Sequence, residues 1–270
     1  MNNREKAIGI FDSGLGGLTV VKSVIELMPN ENIIYFGDTA HVPYGNRSRE
    51  QITQYVMNDV RFLNGFDIKA IVIACNTADS IAGKKVEEKY AMPVFGVVEA
   101  ASKKAAQVTK NGKIGVMATN ATVSSAAYEK TIKKYNSELT VISEACPLLV
   151  PLVEEGRFRK GDTVAESVTA EYLKVMKSEN VDTLILGCTH YPLLEGIIKE
   201  QLPNVNIISS SHEAAVRLKQ MFEKNNMESE RKEKGSHRYF VSDKAENFEK
   251  FAKIFMGSEI DCAVREVDPQ

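Results

Sequence analysis

The sequence predicts an α/β protein of two pseudo-symmetric domains, each a mainly parallel sheet flanked by helices, with the active site in the cleft between the domains. Three observations carry this expectation. Short runs rich in Val and Ile alternate with longer amphipathic stretches from residue 8 onward, the pattern of a parallel sheet with helices on its faces. The pattern restarts near residue 113. Each half also contains a buried strand that runs into a cysteine and two polar residues: Ala70-Ile-Val-Ile-Ala-Cys75-Asn-Thr77 in the first, Thr183-Leu-Ile-Leu-Gly-Cys188-Thr-His190 in the second.

In chain order, residues 8–11 read as a strand and 18–28 as a helix that stops before Pro29. Residues 33–36 are a second strand, 49–64 a long amphipathic helix, 70–74 a third strand and 80–90 a helix. Residues 93–97 are a fourth strand, with a helix after it to about 108. In the second half, 113–117, 139–142, 183–186 and 205–208 read as strands, and 123–135, 164–178 and 193–201 as helices. A helix (212–224), a strand (238–242) and a helix (245–256) follow, with the polar run 223–235 between them read as a solvated loop. Ile8-Gly-Ile-Phe11 and Ile114-Gly-Val-Met117 open the two halves, about as far apart as the two cysteines. The expected division is therefore 1–98 plus 209–270 for the domain carrying Cys75, and 99–208 for the domain carrying Cys188.

The chain has 270 residues, 43% hydrophobic and 26% charged, enough for a core that needs no disulfide or metal staple. A net charge of −2 gives no basic field for nucleic acid and favours a small-molecule partner. The apolar run before Asp12 is too short for a signal peptide, and no run approaches a membrane span. The expected compartment is the cytoplasm, where thiols stay reduced. None of the four cysteines forms a C-x-x-C pair, which disfavours zinc ribbons and dithiol redox motifs. Cys146 and Cys262 read as small buried hydrophobes.

Cys75 and Cys188 read differently. Ligands of open α/β sheets bind beyond the carboxyl ends of the strands, where both thiols stand. A helix N-terminus there favours the thiolate. Matched cysteines in two matched domains imply two thiols facing each other across one cleft. Such a pair suits inversion of a stereocentre: one base removes a proton from one face and a conjugate acid delivers a proton to the other. A hydrolase or transferase nucleophile would instead need one Cys paired with a His.

Asp12-Ser13-Gly14-Leu15-Gly16-Gly17 can bring backbone N–H groups to an anion. It does not match a dinucleotide or P-loop fingerprint, and a substrate carboxylate suffices. Asp12 reads either as a turn cap or as a carboxylate that assists the Cys75 side. The turn at Pro43-Tyr44-Gly45 lies on the same edge, either as pure structure or as a source of N–H groups. His190, two residues after Cys188, either packs structurally or stabilises the thiolate and shuttles its proton.

At these residues the chain resembles the glutamate racemases of the aspartate/glutamate racemase family, along nearly its whole length. The matching stretches are Phe11-Asp-Ser-Gly-Leu-Gly-Gly-Leu-Thr-Val20, Tyr35-Phe-Gly-Asp-Thr-Ala40 with Pro43-Tyr44-Gly45, Ala74-Cys-Asn-Thr-Ala78, Pro151-Leu-Val-Glu-Glu-Gly156 and Leu186-Gly-Cys-Thr-His-Tyr-Pro-Leu-Leu194. The resemblance implies that Cys75 and Cys188 are the acid/base pair, assisted by Asp12, Glu154 and His190. It implies glutamate contacts at Asp12, Ser13, Pro43, Tyr44, Gly45, Asn76, Thr77, Thr119, Thr122, Thr189 and His190. It further implies D-glutamate production for peptidoglycan, no cofactor, no metal and a homodimer. Cys188 would take the proton from L-glutamate and Cys75 from D-glutamate. The chain departs from the family at Ala118 and Ala121, where Gly is usual, at His41, where Arg is usual, at Asp79-Ser80, and at Val241-Ser-Asp243, which lacks a glycine. The rival readings are a racemase for another acidic amino acid such as aspartate, a non-catalytic binding protein and a thiol redox protein.

Overall fold

The apolar run Ala7–Asp12 forms strand β1, the centre of a parallel sheet in a computed structural model that describes residues 3–243, 245, 248–257 and 264–269. Its residues are buried on both faces: Ile8 and Ile10 point into one apolar cluster, Ala7 and Phe11 into another, as a two-residue side-chain period requires. Helix α1 (Leu18–Leu27), strand β2 (Ile33–Gly37), α2 (Arg49–Asn64), β3 (Ile68–Ile73), α3 (Asn76–Lys89), β4 (Val94–Gly96) and α4 (Val97–Val108) follow. The second run comprises β5 (Lys113–Ala118), α5 (Asn120–Ser125), α6 (Ala127–Tyr135), β6 (Thr140–Ala145), α7 (Leu149–Glu154), α8 (Thr163–Ser178), β7 (Thr183–Gly187), α9 (Glu195–Gln201) and β8 (Asn206–Ser209). The chain then continues through α10 (Ser210–Asn225), β9 (His237–Val241), α11 (Phe248–Met256) and β10 (Val264–Glu266).

The first sheet has the order β10-β9-β2-β1-β3-β4 and the second β6-β5-β7-β8. Every strand pair is parallel. Within each sheet, the opening strand lies between the second and third strands of its run, and the fourth lies beyond the third. The internal repeat therefore extends to topology. Cys75 and Cys188 follow the equivalent strands β3 and β7. One continuous apolar cluster joins the sheets through residues of α1, α4 and α10. Among the described residues no helix is long and apolar enough to cross a membrane.

Several elements differ from the sequence expectation. Helix α3 starts at Asn76, not residue 80, because Cys75 is its N-cap. The expected helix over 123–135 is two helices, broken at Ala126, whose φ of 54° is left-handed. Helix α7 is an addition to the expected elements; Pro151 stands in its first turn, where a missing N–H costs little. Strand β10 was also unexpected. Helix α11 begins at Phe248, three residues after the expected start, and Cys262 lies outside the described residues. The polar run 223–235 is largely solvent-exposed, as expected of a solvated loop, and is fastened at three points: the Ser229 N–H donates to Glu31 (2.8 Å), Arg231 pairs with Glu5, and the Gly235 N–H donates to the Pro29 carbonyl (3.0 Å). The buried Lys69–Glu31 pair (2.6 Å) anchors it, with Lys69 also donating to the Met227 carbonyl (2.8 Å).

One join between α3 and α4 is pH-sensitive. The Asp79 carboxylate accepts the Val98 N–H at 2.8 Å. It packs over Gly96, where a Cβ would stand 2.2 Å from Oδ1. Burial pushes Asp79 up to about 7, against the pull of the Val98 hydrogen bond; Glu87 and Glu99 also raise it and Arg217 lowers it. The folded protein therefore holds this proton over a range where the unfolded chain has lost it. The contribution to stability is full below about pH 4 and is lost as the pH rises through about 7. Asp79→Asn should flatten this slope and leave the variant about 1–2 kcal/mol more stable than the parent at pH 8. Urea midpoints at pH 5 and 8 measure both quantities, and equal slopes for the two proteins would contradict the assignment.

Candidate active site

The carboxyl ends of both sheets face a cavity of about 310 Å³, at the small end of the roughly 300–1,000 Å³ typical of ligand clefts. Cys75 and Cys188 both line it, 5% and 6% exposed. The Cys75 Sγ accepts the Ala78 N–H at the start of α3 (3.5 Å) and lies 3.3 Å from the Ser13 hydroxyl, to which it donates. Burial, then the charge of Asp12, pushes this thiol up to about 12, against both hydrogen bonds. The helix N-terminus, expected to favour the thiolate, is outweighed in so enclosed a place.

Cys188 has no α-helix N-terminus beside it. A 3-10 turn, Tyr191–Leu194, separates it from α9. Its neighbour is His190, whose Nδ1 lies 3.8 Å from Sγ and whose Nε2 lies 3.0 Å from Glu154 Oε1. Burial acts to lower the imidazole, but hydrogen bonds to Cys188 and Glu154, with their charges, hold it up to about 10. A cationic ring donates both N–H groups, one to sulfur and one to carboxylate. The two thiols thus occupy equivalent positions with opposite surroundings.

Asp12 does not line the cavity. It lies behind it, 1% exposed, with Oδ2 accepting the Gly14 N–H (3.1 Å) and Oδ1 without a hydrogen-bond partner. Burial raises it, partly offset by His190 and by the Gly17 and Gly14 amides. Asp12 caps the turn through the Gly14 N–H, and its charge raises the Cys75 thiol.

Tyr44 lines the cavity with its hydroxyl turned away, donating to Asp38 Oδ2 at 2.6 Å. Asp59 Oδ2 lies 2.9 Å from the same hydroxyl. Burial, then the charge of Asp38, raises the Asp59 carboxyl well above its ordinary value, against the pull of the Tyr44 hydroxyl. His41 bonds Asp38 (2.8 Å) and stacks on Tyr55 at 4.1 Å. The loop bearing Pro43, Tyr44 and Gly45 is therefore anchored from behind, and Tyr44 offers a ring rather than a hydroxyl.

Three threonines join the two halves. Thr77 lies 2.9 Å from Thr119 and 3.3 Å from Thr122, and Thr119 lies 3.0 Å from Thr122, hydroxyl to hydroxyl. Thr77 and Thr119 line the cavity; Thr122 supports them from behind. The alanines at 118 and 121 leave this turn intact, because the Thr119 hydroxyl still accepts the Thr122 N–H (3.3 Å). Ser13, Pro43, Gly45, Asn76, Thr189, His190 and Glu154 complete the expected set on the cavity wall. Val42, Asn46, Asn120, Pro147 and Val150 also line it; these loop and apolar positions carry no chemical signature in the sequence. Among the described residues no Lys or Arg lines the cavity. Among the described residues no cluster of His, Cys, Asp or Glu is placed to hold a metal ion.

Residues 8–218 match the family model described as Asp/Glu/hydantoin racemase. The chain is 44% identical over 256 residues to the glutamate racemase of Geobacter metallireducens, covering 94% of each. Among solved structures, a glutamate racemase isoform from Bacillus anthracis is similar with a TM-score of 0.93 and 40% identity, covering 98% of both chains. A glutamate racemase from Francisella tularensis in complex with D-glutamate has a TM-score of 0.90 and 37% identity, again covering 98% of both.

Proposed function

The chain belongs to the Asp/Glu/hydantoin racemase family, and from that premise we propose that it interconverts L- and D-glutamate by proton transfer between two thiols. The observation that carries this reading is the position of Cys75 and Cys188 on one small cavity, each beyond the equivalent strand of its own sheet.

With L-glutamate bound, Cys188 acts as thiolate and takes the α-proton from one face. The Cys75 thiol delivers its proton to the opposite face. The products are D-glutamate, a Cys188 thiol and a Cys75 thiolate, and the reverse reaction restores the start. The His190 imidazolium, backed by Glu154, holds the charge on the Cys188 side. On the Cys75 side the Ser13 hydroxyl and the Ala78 amide stand by the sulfur. Burial raises the Asp12 carboxyl behind this thiol, and the Asp12 charge opposes a thiolate there. The substrate carboxylates meet neutral donors: Ser13, Asn76, Thr77, Thr119, Thr189 and backbone N–H groups of the Pro43-Tyr44-Gly45 turn.

In this reading, residues 1–98 with 209–270, and residues 99–208, are the two bodies that enclose the substrate. The family resemblance supports a cytoplasmic homodimer whose D-glutamate serves peptidoglycan synthesis. The test is incubation of the purified protein with L- or D-glutamate, chelator present and no cofactor added, followed by chiral separation. Each enantiomer should approach an equal mixture. Conversion of aspartate without glutamate would replace the substrate, and conversion of neither would overturn the reading.

A further inference from the structure

Helix α6 sends one residue into the site from behind. The Tyr128 hydroxyl donates to Asn76 Oδ1 at 2.5 Å, across the boundary between the halves. Asn76 follows Cys75 and lines the cavity. Its Nδ2 donates to Ser210 Oγ at 3.2 Å.

Proton accounting fixes this amide. Ser210 has one hydroxyl hydrogen, which goes to the Leu186 carbonyl at 2.8 Å, an acceptor only. Ser210 therefore accepts from Asn76, and the nitrogen end of the amide faces it. The oxygen end faces Tyr128, which donates. Burial raises the Tyr128 phenol, so it keeps its proton at any working pH. Among the described residues one Nδ2 hydrogen remains with no protein partner, on a residue that lines the cavity. The Tyr128 ring packs over Gly187, where a Cβ would stand 3.1 Å from Cε2. The residue before Cys188 must therefore stay small for the ring to reach Asn76.

We infer that Tyr128 is a positioning residue for the reaction: its hydroxyl holds the Asn76 side chain so that the free amide hydrogen meets a substrate carboxylate. The inference rests on the reading of Asn76 as a substrate contact. It assigns a function to a residue that, on an amphipathic helix, has every sequence mark of an ordinary core tyrosine.

The test is a double-mutant cycle on the full-length protein, using Tyr128→Phe, which keeps the ring, and Asn76→Ala. Tyr128→Phe should raise the KM for glutamate by about 5- to 30-fold while kcat stays within about threefold. Asn76→Ala should raise KM at least as much, and the double variant should be no worse than Asn76→Ala alone. Multiplying effects would mean that Tyr128 acts elsewhere and would overturn the inference, as would an unchanged KM in Tyr128→Phe. If the parent protein turns over a different acidic amino acid, the cycle is run on that substrate. Non-additivity there upholds the role of Tyr128 while the glutamate reading falls.

Discussion

Replacing Cys75 or Cys188 with Ala should each lower racemisation by at least about 10³-fold, in both directions. A positioned acid or base contributes typically 10²–10⁴-fold, and here each thiol takes the proton in one direction and gives it in the other. The equilibrium ratio of enantiomers is fixed, so a variant cannot lose one direction and keep the other. Solvent isotope exchange separates the two thiols. In deuterated water, Cys75→Ala retains the Cys188 base and can wash deuterium slowly into L-glutamate without inversion. Cys188→Ala retains the Cys75 base and should label D-glutamate instead. Alanine fills the cavity wall without a titratable atom. Both cysteines are almost wholly buried, so melting temperatures must accompany the rates. Full racemisation by either single variant would end the two-thiol assignment. Exchange into the opposite enantiomer in each variant would keep two thiols but reverse their faces.

The sheets were legible because buried parallel strands leave runs such as Ala70-Ile-Val-Ile that little else produces. The repeat was legible because the same strand-to-cysteine turn occurs twice. What surrounds each thiol was not. Cys75 and Cys188 look alike in sequence, but one caps an α-helix and the other abuts a histidine–carboxylate pair. Glu154 was reached only through family resemblance, since Leu-Val-Pro-Leu-Val reads as loop or core and its helix is six residues long. The anchoring of the Tyr44 hydroxyl leaves no local mark in the sequence, because Asp38 and Asp59, which bind it, come from different elements. The break at Ala126 has no glycine to announce it: a non-glycine residue takes the left-handed conformation there, which costs roughly 1–2 kcal/mol and which surrounding packing must offset. Contacts between distant segments, such as Tyr128 with Asn76, leave no local mark at all.

L-Glutamate should be processed more efficiently than L-aspartate by about one to four orders of magnitude. Reaction requires the α-carbon to sit between Cys75 and Cys188, which fixes one point of the substrate. From that point the α-carboxylate, the α-ammonium and the distal carboxylate must each find partners. The wall offers hydroxyls and amides on both sides of the thiols: Ser13 and Asn76 near Cys75, Thr189 near Cys188, and the Thr77–Thr119 pair where the halves meet. Among the described residues no cationic Lys or Arg lines the cavity to draw in a shorter side chain at long range, so recognition depends on short, directional hydrogen bonds. Aspartate has one methylene fewer. With its α-carbon in place, the distal carboxylate falls short of donors that glutamate would reach. With that carboxylate in place, the α-carbon leaves the line between the sulfurs. Either way one or two charge-assisted hydrogen bonds are lost, at roughly 1.5–3 kcal/mol each, which gives the stated range of catalytic efficiency. The measurement is the ratio of kcat/KM for the two L-amino acids under identical conditions. A ratio near or below one would show that this cavity selects a shorter dicarboxylate, while leaving the two-thiol chemistry untouched.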